Sequence, residues 1–222
     1  MAENSKRSGF DHLVIVAQSL AEGVAYVQEH LGVVIPIGGE HEYMGTHNHV
    51  MQLGADCYLE VIAINPSARG PVHPRWFDMD NPLLRDRISR GPVLLTWIVN
   101  VPTHDMLEKL DSELWGSPLA MSRDSYEWSF SLREDGALPA GGCIPTPIWW
   151  KSHPPVLAMP SVGCSICSIV LRHPKPKWLA AKLTLLSALN VYNLEIDIQE
   201  ATVPGFTAVI ETPSGIRELK AF

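Results

Sequence analysis

The sequence predicts an α+β fold in which one strand–helix–strand unit is used more than once. Three observations predict it. A short β-rich run, residues 11–16 (DHLVIV), leads straight into a capped amphipathic helix and then into extended pieces punctuated by glycine. The same order returns from residue 92 and again from residue 165. Long Pro-rich connections, residues 65–91 and 137–163, separate the rounds. Loops of that length inside a compact domain are usually functional or cover something.

Each element follows from its residues. Ser19 and Glu22 form a capping box, the hydroxyl accepting from the Glu22 amide while the carboxylate reaches back. Leu20, Val24, Val27 and Leu31 then share one helical face, and Gly32 ends the helix. Extended pieces follow at residues 33–37, 49–53 and 58–64. In the second round, residues 92–101 (PVLLTWIVNV) read as a strand. Thr103 caps a helix with Leu107, Leu110 and Leu114 on one face, and residues 127–132 and 147–150 are extended. In the third, residues 165–172 (SICSIVLR) precede a helix that Pro174 and Pro176 can open, because a first turn needs no amide donors. Leu179, Leu183 and Leu186 form its buried stripe, and strands follow at 194–198, 206–211 and 215–219. The unit spans roughly 50–70 residues and occurs about three times, the middle copy being the least regular.

Composition narrows the function. A hydrophobic fraction of 46% and a charged fraction of 18% over 222 residues describe a globular chain, not a disordered, collagen-like or disulfide-dense one. The formal net charge of −7, with no basic stripe, makes nucleic acid and anionic membranes poor partners. Apolar stretches such as 93–101, interrupted by Thr96 and Asn100, fall far short of the ~20 residues of a membrane helix. The polar start is not a secretory signal. Cys57, Cys143, Cys164 and Cys167 read as reduced thiols of a cytoplasmic protein. Cys164 and Cys167 form a lone CxxC in a β-branched run, without the second pair a structural zinc site would want. There is no GxSxG, GxGxxG or P-loop. His41-Glu42 lacks a histidine at position 45, where Gly45 stands, so it is no helical zinc motif. His47 and His49 face one way on a strand, but no glutamate follows them as a cupin site would require. The expectation is a small-molecule protein.

Several segments carry a resemblance. FDHLVIV with its capped helix, the run GGEHEYMGTHNHVMQLGADCYLEVIAINP with its GT-x-N and YLE pieces, Ser122-Arg123, the Trp-rich 147–150 and LRHPKP together resemble a glyoxalase-like domain of the vicinal oxygen chelate (glyoxalase/bleomycin resistance/dioxygenase) superfamily. The likeness implies an α+β fold of repeated βαβββ modules forming a cupped, half-open mixed β-sheet with helices on the outer face. The modules would cover residues 9–65, 91–151 (irregular) and 163–222, with Pro-rich connections at 66–90 and 152–162. An odd module count would suit a homodimer that pairs the third.

In that superfamily the cup often holds a divalent metal, bound by a residue of each module's first strand and a carboxylate of its last. By this likeness His12 and Glu60 take those positions, and period two agrees: His12, Val14 and Val16 share a face, as do Tyr58, Glu60 and Ile62. His49 is a candidate third ligand and Glu218 a closing carboxylate. The second module departs from the pattern, offering Thr96 or Trp97 where a ligand would stand. Asn48 would orient a substrate carbonyl, Arg123 would hold a carboxylate, and Trp97, Trp149 and Trp150, with His153 near the mouth, would wall the cup. Two readings stay open. One is a lyase/isomerase or dioxygenase using a divalent ion (Zn, Ni, Mn or Fe) on a small substrate with vicinal oxygens, with His12 and Glu60 catalytic. The other is a metal-free protein that binds or sequesters a small molecule.

Overall fold

In the computed structural model, which describes residues 9–186 and 194–221, the sheet is organised around its first strand. β1 (Gly9–Val16) leads into α1 (Leu20–Leu31), β2 (Ile37–His41), β3 (Thr46–Gln52) and β4 (Tyr58–Ile64). β4 returns parallel to β1, pairing Val14 with Glu60. β5 (Val93–Asn100) opens the second module, and β6 (Ser117–Arg123), β7 (Tyr126–Leu132) and β8 (Thr146–Trp150) complete it, with β8 parallel to β5. β1 and β5 pair antiparallel, so the two modules join back to back in one eight-stranded sheet ordered β2-β3-β4-β1-β5-β8-β7-β6. The sheet curls into a half-barrel.

The convex face is dry. Ser19 caps α1 as expected, accepting from the Glu22 amide at 3.3 Å, though no return bond from the Glu22 carboxylate forms among the described residues, and Gly32 ends the helix at φ 72°. Its buried face, Val27 and Leu31, packs on Leu13, Ile15, Met51, Leu59 and Val61. The same core takes in a second sheet: β9 (Ser165–His173), β10 (Glu195–Glu200), β11 (Gly205–Thr212) and β12 (Gly215–Lys220), with the helix Pro176–Leu185. The strand–helix–three-strand order is as the sequence predicts, but the pairing differs. Here the first strand is internal (β10-β9-β11-β12), whereas β1 pairs with its own module's last strand.

The concave face is partly filled by the long connection 65–91. It carries the short helix α2 (Pro82–Ile88), started by Asn81, whose side chain accepts from the Leu83 amide. Trp76, Phe77, Met79, Leu84 and Ile88 bury themselves against Val14, Val16, Ile62, Phe130 and Ile148. The Pro-rich segment is a plug with its own apolar face.

Local differences have local causes. β2 begins at Ile37, where residues 33–37 were expected to be extended, and β3 begins at Thr46. The expected helix after Thr103 is two short pieces, α3 (His104–Glu108) and α4 (Ser112–Trp115): Thr103 makes no side-chain cap bond, and Asp111 starts a new helix by accepting from the Glu113 amide. β6, with the weak β-former sequence SPLAMSR, is extended because it forms a hairpin with β7 across a tight turn at Asp124 (φ 52°).

Gly23 is buried where α1 crosses β4, and a methyl group there would collide with Val61 Cγ1. Gly23→Ala should therefore destabilise the fold by ~1–3 kcal/mol despite its better helix propensity, read as a lower denaturant midpoint at unchanged m-value.

Candidate functional site

Between plug and sheet the concave face leaves a pocket that, with its open mouth, encloses ≈ 500 Å³ of empty space. Period two decides its lining: His12 from β1, Asn48 and Val50 from β3, Tyr58 and Glu60 from β4, Tyr126, Trp128 and Phe130 from β7, Ile148 and Trp150 from β8. His41 and Arg123 close the ends of the two edge strands, Trp76 and Phe77 enter from the plug, and Pro155 and Met159 from the second Pro-rich connection.

At the floor lies a chain of polar side chains. His12 Nδ1 donates to Asp11 Oδ1 at 2.6 Å, and Asp11 Oδ2 accepts from Trp150 Nε1 at 2.9 Å. Adjacent strand residues ordinarily face opposite ways. Here a β-bulge leaves Asp11 unpaired between Phe10 and His12, which lets both side chains meet. The imidazole stacks on Tyr58, with ring centres 4.3 Å apart and planes 19° off parallel. Burial, together with the charges of Asp11 and Glu60, pushes the Tyr58 phenol well above its ordinary range. His12 Nε2 points toward Glu60 Oε2 at 3.7 Å, beyond hydrogen-bond reach. The other Glu60 oxygen accepts from Asn48 Nδ2 at 2.5 Å, and Asn48 Oδ1 accepts from the Gly39 amide at 2.8 Å. A side chain at Gly38 would collide with the Asn48 amide, and one at Gly39 would press on the Arg123 guanidinium.

Arg123 and His41 form the second polar group. Arg123 Nη1 donates to His41 Nε2 at 3.2 Å, joining edge strand β6 to edge strand β2, and its guanidinium lies 5.9 Å from the centre of the Tyr126 ring. His41 Nδ1 can then donate to Thr46 Oγ1 at 3.1 Å. Burial lowers the His41 pKa from 6.5 to about 3, helped by the neighbouring charges of Arg123, His12 and His47. The imidazole is neutral and serves as an acceptor.

The sequence-predicted residues divide. His12, Asn48, Glu60, Arg123 and Trp150 line this pocket. Trp97 does not: it is fully buried in the convex core, its Nε1 donating to the Cys143 carbonyl at 3.0 Å. Trp149 faces outward beside Trp150, edge-on to His104. His49 alternates away from Asn48 and bonds the Ile35 carbonyl at 2.9 Å. Glu218 is in the second sheet, exposed and paired with Lys220 at 2.9 Å. His153 is exposed. Thr96 donates to the Gly142 carbonyl, and the four cysteines are free, Cys164 and Cys167 included. Asp11, Tyr58, His41 and Trp76 were not singled out as site residues. The Asp11-His12 neighbour pair was the one legible signal among them, and it needed the bulge.

A divalent ion fits this donor set poorly. His12 Nε2 and Glu60 converge, but among the described residues no three of His, Cys, Asp and Glu group as ligands. Beyond that pair the polar lining is already engaged, Asn48 with Glu60 and the neutral His41 with Arg123 and Thr46, and the rest is aromatic, apolar or the Arg123 guanidinium.

Two back-to-back βαβββ modules sharing a polar cup define the architecture of the vicinal oxygen chelate superfamily. The chain belongs to the glyoxalase-like domain family, which matches residues 10–186. Among solved structures it is similar to a hypothetical protein from Staphylococcus aureus, with 13% identity and a TM-score of 0.62, covering 89% of this chain and 88% of that one. It also aligns with methylmalonyl-CoA epimerase from Mycobacterium tuberculosis (18% identity, TM-score 0.41, 68% and 91% covered). A further match is a methylmalonyl-CoA epimerase in complex with methylmalonyl-CoA (13%, TM-score 0.40, 65% and 94%). No curated protein matches. Among the described residues no helix is long and apolar enough to cross a membrane.

Because His41 is less basic folded than unfolded, the unfolded chain binds the extra proton. Its contribution should be constant above pH ~6.5 and lost as pH falls from there toward 3. The stability difference between the protein and His41→Gln, measured by urea unfolding across this range, should shrink or reverse on acidification. A flat difference would contradict the assignment.

Proposed function

We propose that the cup is the active site of an acid–base enzyme of the isomerase or lyase type. It would act on a small molecule with neighbouring oxygens and work without a protein-held metal. The observation that supports this is the Asp11–His12–Glu60 array. Asp11 accepts the Nδ1–H hydrogen bond, which fixes the proton on Nδ1 and leaves Nε2 with its lone pair toward the cavity, the arrangement of an oriented general base. A substrate C–H beside a carbonyl would lose its proton to His12 Nε2, and the electron pair would move onto the carbonyl oxygen as an enolate. Arg123 supplies the positive field for that charge in a low-dielectric pocket. Glu60, held by Asn48 with its other oxygen 3.7 Å from Nε2, would take that proton from the His12 imidazolium and pass it back to carbon or to a leaving group. Buried charges are costly unless paired or used, so three of them around one cavity favour chemistry over passive packing. Free cysteines support a cytoplasmic setting.

A divalent ion, Zn, Ni, Mn or Fe, is the second reading. The convergence of His12 Nε2 and Glu60 Oε2 at 3.7 Å favours it, as two ligands of a set that water and substrate would complete.

Proton NMR in heavy water separates the readings. With a panel of small 2-oxo acids, hydroxyketones and their esters, the protein should catalyse deuterium uptake next to the carbonyl. His12→Gln and Glu60→Gln should each lower the rate by ~10²–10⁴. Uptake that survives chelation supports the acid–base reading. Uptake lost on chelation and restored by one of the four ions supports the metal. A panel that binds without exchanging makes the cup a binding site only.

A further inference from the structure

We propose that the ligand of this cup is a carboxylate on a flat apolar body. Its charged end would sit against Arg123 and the indole N–H of Trp76, and its body against the aromatic wall of β7 and β8. This deepens the acid–base reading and rests on the same pocket.

The argument begins with two donors that lack partners. Arg123 Nε and Trp76 Nε1 are both buried without a hydrogen bond, and both residues line the pocket. They come from unrelated places, the end of edge strand β6 and the plug. Yet they flank a single imidazole: Arg123 bonds His41 at 3.2 Å, and the Trp76 ring stands edge-on to it with centres 4.9 Å apart. An orphaned buried donor costs ~1–3 kcal/mol, so two beside one cavity mark where an acceptor belongs.

Charge identifies the acceptor. Among the described residues Arg123 has no carboxylate partner. Its hydrogen-bond acceptor is a neutral histidine, and an aromatic ring faces its guanidinium. A half-buried cation whose Nε is shielded from water and that has no counter-ion is unfavourable, and an entering carboxylate would supply one. Glu60 does not fill that role: Asn48 holds its carboxylate, and Asn48 in turn stands between Glu60 and the Gly39 amide. The pocket is thus polarised, anionic at the His12–Glu60 end and cationic at the Arg123 end. Trp128, Phe130, Ile148 and Trp150 add an apolar wall suited to a ring or other planar group. The plug backbone agrees. Phe77 and Asp78 both sit at φ 58°, a left-handed conformation costly for a bulky residue, and they carry Trp76 into the cup. Such strain clusters at ligand clamps.

Calorimetric titration of the whole protein with phenylacetate and with phenylacetamide, its uncharged isostere, tests the proposal. The acid should bind at least tenfold more tightly than the amide, which corresponds to ~1.4 kcal/mol. Arg123→Gln should abolish that preference. Trp76→Phe should reduce it while leaving amide binding nearly unchanged, and Arg123→Lys should recover part of it. Equal binding of acid and amide, a preference that survives Arg123→Gln, or no acid binding at millimolar concentration would overturn it. The readout needs no turnover. A cup that prefers the acid but never exchanges a proton supports this proposal and removes the acid–base one. Exchange of uncharged hydroxyketones with no preference for the acid does the reverse.

Discussion

The bulge at Asp11 is the constraint on which the rest of the cup depends. A regular strand would send Asp11 to the convex side, into a core of leucine, isoleucine and valine where an unpaired carboxylate is prohibitively costly. One extra residue between the Phe10 and His12 pairings lets the carboxylate share a side with the imidazole. From there a line of hydrogen bonds follows: Trp150 to Asp11, His12 to Asp11, and, across the 3.7 Å gap, Asn48 to Glu60 and Gly39 to Asn48. The line runs across β8, β1, β4, β3 and β2, so it joins five strands of the sheet and both modules. Electrostatics that would be expensive singly are satisfied together, and the charged groups are held where an apolar pocket would otherwise exclude them.

The plug has a comparable role on the other side. An open half-barrel with this much aromatic surface would be a large exposed apolar patch. Residues 65–91 cover most of it with Trp76, Phe77, Leu84 and Ile88 and leave an open-mouthed pocket over the polar floor. The Arg123–His41 bond draws the two edge strands together at the end of the cup. Burial and the guanidinium keep His41 neutral, and a neutral imidazole can accept from Arg123 where an imidazolium could not. The hydrogen bond and the depressed basicity are one effect seen twice.

Some of the site was legible in the chain because strand periodicity is local. Glu60 and Asn48 fall on the concave side by counting in twos along their strands, as does Trp150 in β8, and His12 does so when counted back from Val14 and Val16, beyond the bulge. Counting in twos also sends Trp97, Trp149 and His49 to the other side, but only once it is known which residues of each strand face the cup. In strands buried on both faces, as β5 is, hydrophobicity does not say which side is which. Glu218 shows a different limit. Its local sequence looks like a module's last strand, but β9 pairs with β10 and β11 rather than with β12, and pairing is a long-range choice no short segment encodes.

The sequence by itself determined the order of elements, the cap and stop of α1, and the apolar alternation that makes a two-sided sheet, because these depend on neighbours within a turn or two of chain. Only the tertiary structure decided that Asp11 joins His12, that Trp76 and Arg123 meet at His41, and that the donors around Glu60 stop short of a metal set. Those contacts bridge as many as 139 residues of sequence, and they exist only where sheet curvature, a bulge and a folded-in connection bring the groups together.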